Sequence, residues 1–275
     1  MDLCRPAVLC LVLSVATSAS DLAIIPTPQV EQSTGEMACL SLRHASLFLE
    51  QVGNRPQETL AAESGLALVR ARLQQLGGSL MNTGQGRCGG MLAMEYMAAD
   101  EFLPLFHNGG TRGPADSLQL EQAYVLKVEK LPDGFNLHVR ACNGLGLYYG
   151  LLTVCQLLES DEAGRVCTPV TTLLDWPACS RRLAKTSGSN NGPETLHGFC
   201  AWLPAFKMNM VGLQYHGESS RAPEPPFLDN IENLCPQLCE QGLLETVVYF
   251  CPFRGGERGY DFREADDRQR YAEFL

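Results

Sequence analysis

Two adjacent acid pairs stand in the chain, Asp161-Glu162 and Asp266-Asp267. Neighbouring carboxylates can divide the work of general acid and general base. Neither pair reads as placed for it. The first falls in a turn after a helix, and the second near the start of the last helix, where acids complement the helix N-terminus. His216 and Glu218 directly follow a strand at 210–215. Residues at the C-terminal ends of barrel strands line active sites, so both are candidate ligand contacts. Asn209 reads as a residue at a helix C-terminus. Cys235 and Cys239, four apart on a helix, form one loose pair where a zinc centre needs two close ones, and they are expected in the core. There is no His-Glu-x-x-His, and Gly144-Leu145-Gly146 lacks the further glycine of a dinucleotide fingerprint. No metal and no cofactor are therefore expected.

Of twelve cysteines, ten lie beyond residue 20: Cys39, Cys88, Cys142, Cys155, Cys167, Cys179, Cys200, Cys235, Cys239 and Cys251. Their spacing is not that of a compact disulfide scaffold. Most are expected as small buried hydrophobes, with one or two disulfides among them. The 275 residues suffice for one large domain or two ordinary ones. With 45% hydrophobic and 19% charged residues, the composition is globular. A formal charge of −10 argues against nucleic acid and anionic membrane surfaces as partners. Residues 1–20 read as a signal peptide: Arg5, an apolar run from Ala7 to Ala16, then the small residues Thr17, Ser18, Ala19 and Ser20. That run is far shorter than the roughly 20 residues that span a bilayer. The chain is therefore expected to be exported, periplasmic or extracellular, with no membrane span.

The elements that must position these residues follow from periodicity. Ile24-Ile25-Pro26-Thr27-Pro28 is an extended lead-in, because each proline pushes its predecessor towards β geometry. Short strands are expected at 36–42, 46–50 and 91–97. A helix is expected over 55–76, with Leu66, Val69, Leu73 and Leu76 on one face and Gly77-Gly78 as its stop. A Gly-rich loop covers 108–114. Alternation through Tyr124-Val125-Leu126-Lys127-Val128, then Phe135, Leu137 and Val139, across a Pro132-Asp133 turn, predicts a β-hairpin. A helix over 144–159 and a strand over 164–174 follow. Beyond Arg181 the pattern alternates: strand 181–185, helix 193–207, strand 210–215, helix 227–241, strand 244–251 and a helix from 265. That alternation opens a parallel α/β fold, but three strands cannot close a barrel.

The words Gly146-Leu147-Tyr148-Tyr149-Gly150-Leu151-Leu152-Thr153-Val154-Cys155-Gln156-Leu157-Leu158, then Thr168-Pro169-Val170 and Asp175-Trp176-Pro177, occur in that order. With Ile25-Pro26-Thr27-Pro28-Gln29 before them, they resemble the N-terminal domain that precedes the barrel in glycoside hydrolase families 20 and 84. Lys207-Met208-Asn209 with Val211 resembles the end of the first barrel helix and the second strand there. Cys251-Pro252 followed by Asp261 looks more like family 84.

The resemblance implies an α+β accessory (zincin-like) domain over 22–178, followed by an incomplete (β/α)8 TIM barrel over 179–275. It implies a β-N-acetylhexosaminidase acting on N-acetylhexosamine-containing glycans. In that chemistry the substrate's acetamide oxygen attacks the anomeric carbon while paired enzyme acids assist, an exception to the usual two-carboxylate scheme. Those acids are expected beyond residue 275, so this chain alone is expected to be inactive. Arg182, seven residues after Asp175, stands where these families place a sugar-contacting arginine, although Leu183 replaces the glycine that follows it there. The site candidates are thus Arg182, His216 and Glu218. Two alternatives stand beside this reading: a non-catalytic carbohydrate-binding or scaffold protein of the same architecture, and an α-glucuronidase-type hydrolase.

Overall fold

The computed structural model describes Ile24 and residues 28–41, 46–52, 59–82, 89–107, 113–187, 198, 200, 203–215 and 245–250. Expectations for the leader and for helices at 227–241 and from 265 lie outside them. Two sheets organise the described residues. The first holds β1 (Val30–Cys39), β2 (Ser46–Val52), β3 (Ser79–Asn82), β4 (Gly90–Tyr96), β5 (Tyr124–Leu131), β6 (Gly134–Ala141), β7 (Glu159–Ser160) and β8 (Val166–Asp175). Its order is β1-β8-β5-β6-β4-β2-β3, with β7 on β8. Pairing is antiparallel from β1 to β6 and parallel from β6 to β3. The second sheet is parallel, β11 (Glu245–Phe250), β10 (Met210–Tyr215) and β9 (Leu183–Ser187), with β10 central.

The hairpin forms as its alternation dictates. Tyr124, Leu126 and Val128 of β5 and Phe135, Leu137 and Val139 of β6 face one core, while Lys127, Glu129 and His138 lie on the other side and interact there. The core is closed by α1 (Thr59–Gln75) and α4 (Gly144–Leu157). Asn143 caps α4, its side chain accepting from the Gly146 N–H at 3.1 Å. Leu147, Leu151 and Val154 are fully buried, each contributing roughly 1.5–3 kcal/mol by removal from water. Glycine sets how closely the layers approach. A Cβ on Gly65 would meet Leu151 Cδ1 at 2.8 Å, and one on Gly150 would meet Val139 Cγ1 at 2.4 Å. Gly150→Ala is therefore expected to overpack the helix–sheet contact and cost about 1–3 kcal/mol, read as a lower urea midpoint with an unchanged slope.

Several expected boundaries shift. β1 starts at Val30 rather than at 36, because the polar run after Val30 pairs as an edge strand with β8, and alternation is weak there. Two short helices flank the expected loop, α2 (Ala99–His107) and α3 (Ser117–Gln122). Neither was visible in periodicity. Phe102 and Phe106 of α2 pack with Val125, Leu174 and Trp176 in a second cluster, so tertiary burial specifies that helix. The expected helix over 193–207 ends, in its described part, as a 3-10 turn at Leu203–Phe206.

Candidate functional site

The three strands of the second sheet are parallel, so their C-terminal ends at Ser187, Tyr215 and Phe250 lie on one side of it. In open α/β sheets and barrels that side carries the chemistry. His216 and Glu218 follow Tyr215 in sequence and lie outside the described residues. Arg182 and Asn209 stand at the other end of the strands. Asn209 N–H and Met210 N–H both donate to the Arg182 carbonyl, at 3.2 and 3.1 Å. Of the three candidates, Arg182 is the one among the described residues.

What the fold does gather is a buried polar network where the two sheets meet. β5 and β8 pair so that Tyr124 stands opposite Asp175. The Tyr124 hydroxyl donates to Asp175 Oδ2 at 2.9 Å, and the Thr153 hydroxyl from α4 lies 2.5 Å from the Tyr124 oxygen. The Lys207 ammonium completes the cluster, 2.7 Å from Asp175 Oδ2 and 2.7 Å from the Tyr124 oxygen. The Lys207 and Asp175 side chains are only 5% and 7% exposed, so this is a buried pair and not a solvated one. Burial pulls the Lys207 amine below the usual lysine range, opposed by the Asp175 charge. Burial likewise raises Tyr124 well above the usual phenol value, and the Asp175 charge adds to that. Tyr124 is therefore a hydroxyl, not a phenolate, at neutral pH.

Lys207 holds this place against a local preference. Its φ is 53°, the left-handed region that ends helices and that glycine normally occupies. A side chain there costs about 1 kcal/mol. The buried amine, with its two partners, explains why a lysine stands where a glycine would relax the backbone.

Arg182 belongs to the same junction. Its Nε donates to the Lys207 carbonyl at 2.6 Å, and its terminal nitrogens donate to the Cys179 carbonyl and to Gln122 Oε1, both at 2.8 Å. The guanidinium lies 5.4 Å from the centre of the Tyr149 ring. Asn209 Oδ1 accepts from the Arg182 backbone N–H at 2.7 Å, and its Nδ2 donates to the Ser180 carbonyl at 2.8 Å. Gln122, buried at the end of α3, donates to the same Ser180 carbonyl at 2.9 Å. The side chains of Gln122, Arg182 and Asn209 are thus each matched to donors or acceptors across the junction, as low-dielectric burial requires. Leu118, Glu121, Gln122, Leu145, Ser180, Arg181 and Asn209 line an open cleft of about 170 Å³ beside it. In the sequence this junction shows only as the Asp175-Trp176-Pro177 and Lys207-Met208-Asn209 words; nothing local marks Asp175 and Lys207 as partners 32 residues apart.

Among the cysteines, Cys39 and Cys167 form a disulfide that joins opposite positions of β1 and β8. Asp161 lies close enough that its carboxylate and the two sulfurs are within 4.8 Å of one another. The sulfurs are bonded to each other, and the Asp161 carboxylate is held by Arg165, so the cluster offers no open donor set. Cys142 and Cys200 are buried, and burial pushes the Cys155 thiol up to about 12, as small core residues behave.

No protein-family model matches the sequence, and neither does any curated protein sequence. Solved structures do match in fold. The family 20 β-N-acetylhexosaminidase from Streptomyces coelicolor A3(2) matches at TM-score 0.55 and 15% identity, over 86% of this chain and 48% of that one. CpGH84B matches at TM-score 0.56 and 16% identity, over 92% and 40%. A family 20 exo-β-N-acetylglucosaminidase from Vibrio harveyi matches at TM-score 0.52 and 17% identity, over 82% and 29%. The chain therefore spans between 29% and 48% of these three structures. Among the described residues no helix is long and apolar enough to cross a membrane. Over most of its length, this chain has the fold of part of the family 20 and family 84 glycoside hydrolases.

Proposed function

We infer that this chain is the N-terminal part of an exported glycoside hydrolase that acts on β-linked N-acetylhexosaminides by substrate-assisted, retaining hydrolysis. The observation that carries the reading is the extent of the fold likeness, which runs through 92% of the chain for CpGH84B and 86% for the Streptomyces coelicolor enzyme. Both sheets are needed to reach such coverage. The order of motif words in the sequence supports the same reading independently.

On this reading residues 22–178 form an accessory domain that buttresses the barrel, and 179–275 supply its first β/α units. The substrate's acetamide oxygen attacks the anomeric carbon, one carboxylate orients the acetamide, and a neighbour serves as acid and then base at the glycosidic oxygen. Those carboxylates belong to barrel strands beyond the three described. His216 and Glu218, next after the end of β10, contact sugar hydroxyls. Arg182 serves this site by holding the starts of β9 and β10 together, through its carbonyl and its contact with Lys207.

The 275-residue chain is expected to leave a chromogenic N-acetyl-β-glucosaminide uncleaved. Expressed together with any coding sequence that follows codon 275, it is expected to hydrolyse that glycoside. In the longer protein, His216→Ala and Glu218→Ala are each expected to weaken N-acetylglucosamine binding by about tenfold, the loss of roughly one good hydrogen bond. Steady turnover by the short chain would refute the placement of the acids. Sugar binding without cleavage by the longer protein would replace the hydrolase with a carbohydrate-binding scaffold.

A further inference from the structure

We propose that Lys207 is a proton-dependent latch between the two sheets: its buried amine docks the parallel β9–β10 unit onto the end of the eight-stranded sheet, and undocking takes up a proton. The geometry isolates the contact. The amine comes from the turn before β10, while its partners Asp175 and Tyr124 belong to the edge of the first sheet's core, at 2.7 Å each. Its stem leaves a backbone held at a φ of 53°, so the turn has a relaxed alternative once the amine is released. Beside it, Gln122 and Asn209 tie the junction through amides, and Arg182 through a guanidinium that does not titrate.

Among the described residues, Asp175, Tyr124 and Arg182 are the charged and titratable groups that interact with Lys207. Asp175 lies at the end of β8, Tyr124 at the start of β5, and Arg182 before β9, with Tyr149 of α4 under the Arg182 guanidinium. Docked, the amine binds its proton less tightly than free lysine does, because burial outweighs the attraction of Asp175. Released to water, it regains ordinary basicity. The undocked state therefore holds more protons between the lowered value and the ordinary one near 10.5, and docking strengthens as pH rises through that window. Tyr124 acts oppositely. Its proton is held more tightly when docked, so docking weakens above about pH 10, where a free phenol ionises.

The test is subtilisin cleavage of the intact chain between pH 7 and 10, normalised at each pH to an unstructured reference peptide, with cut sites assigned by mass spectrometry. Cleavage that follows transient opening reports the open population. Cuts within 179–187 and 203–215 are expected to appear before any within 124–175. Their normalised rate is expected to fall several-fold with rising pH, by at most about tenfold per pH unit for one proton. Lys207→Arg keeps a cation but cannot release its proton in this range, so its profile is expected to be flat. Lys207→Met removes the amine and is expected to be flat as well, with faster cleavage throughout. A wild-type profile as flat as those of both variants would overturn the latch. So would cleavage within 124–175 appearing together with that within 179–187 and 203–215, since opening would then be global.

Discussion

Lys207→Met lowers the free energy of unfolding by about 3–5 kcal/mol, and Asp175→Asn by a similar amount. These are the expected results of breaking a pair whose side chains are 5% and 7% exposed. The cost comes from the partner left behind. With methionine at 207, the Asp175 carboxylate loses its cation, keeps the Tyr124 hydroxyl at 2.9 Å and faces a low-dielectric surround. The double replacement Lys207→Met with Asp175→Leu removes both charges and is expected to recover most of the loss, because two buried ions have been exchanged for packed apolar volume. Denaturant unfolding of the wild type, Lys207→Met, Asp175→Leu and the double replacement closes a double-mutant cycle. A coupling below about 1 kcal/mol, the range of solvated pairs, would show that water reaches the cluster. Lys207→Gly adds a separate reading. It relieves the left-handed backbone but loses the amine, so it is expected to be destabilising by less than Lys207→Met, by about the 1 kcal/mol of backbone relief.

The second large effect is expected at the other end of β8. The Cys39–Cys167 disulfide joins residues 128 apart in sequence. Restricting a loop of that length in the unfolded chain contributes about 4–5 kcal/mol by loop-closure entropy. Cys39→Ala with Cys167→Ala is expected to lower the urea midpoint accordingly, and dithiothreitol is expected to do the same to the wild-type chain. The β1–β8 ladder runs from Val30↔Leu174 to Cys39↔Cys167, so the bond closes a pairing that the backbone already makes. The native fold is therefore expected to survive the loss, with unchanged far-ultraviolet circular dichroism below the transition. A loss under 1 kcal/mol would mean that the reduced, unfolded chain already holds β1 near β8.

The hairpin of β5 and β6 was legible because one of its faces is buried and the other is not. Leu126 and Val128 alternate with Lys127 and Glu129, and that contrast is written in residue type. The helix α4 was legible from its run of apolar residues and from Asn143 before it. The strands β10 and β11 were legible as short apolar runs. The short helices α2 and α3 were not, since their specification lies in what covers them: Phe106 on Trp176, and Gln122 on the Ser180 carbonyl. The disulfide partner of Cys39 was equally hidden among the other cysteines, because pairing is decided by strand register.

By itself the sequence determined the β5–β6 hairpin, the helices α1 and α4 and the strands β10 and β11, the order of the motif words, and the acidic, globular character of the chain. These follow from local periodicity and composition, which need no knowledge of neighbours. Only the tertiary structure decided that Lys207, Asp175 and Tyr124 share one dry cluster, that Arg182 turns its guanidinium to the junction, and that Cys39 finds Cys167. Each of those depends on two sheets meeting and on which strand edge lies beside which. Buried electrostatics is set by distances of a few ångströms between residues 32 to 128 positions apart, and no local pattern encodes them.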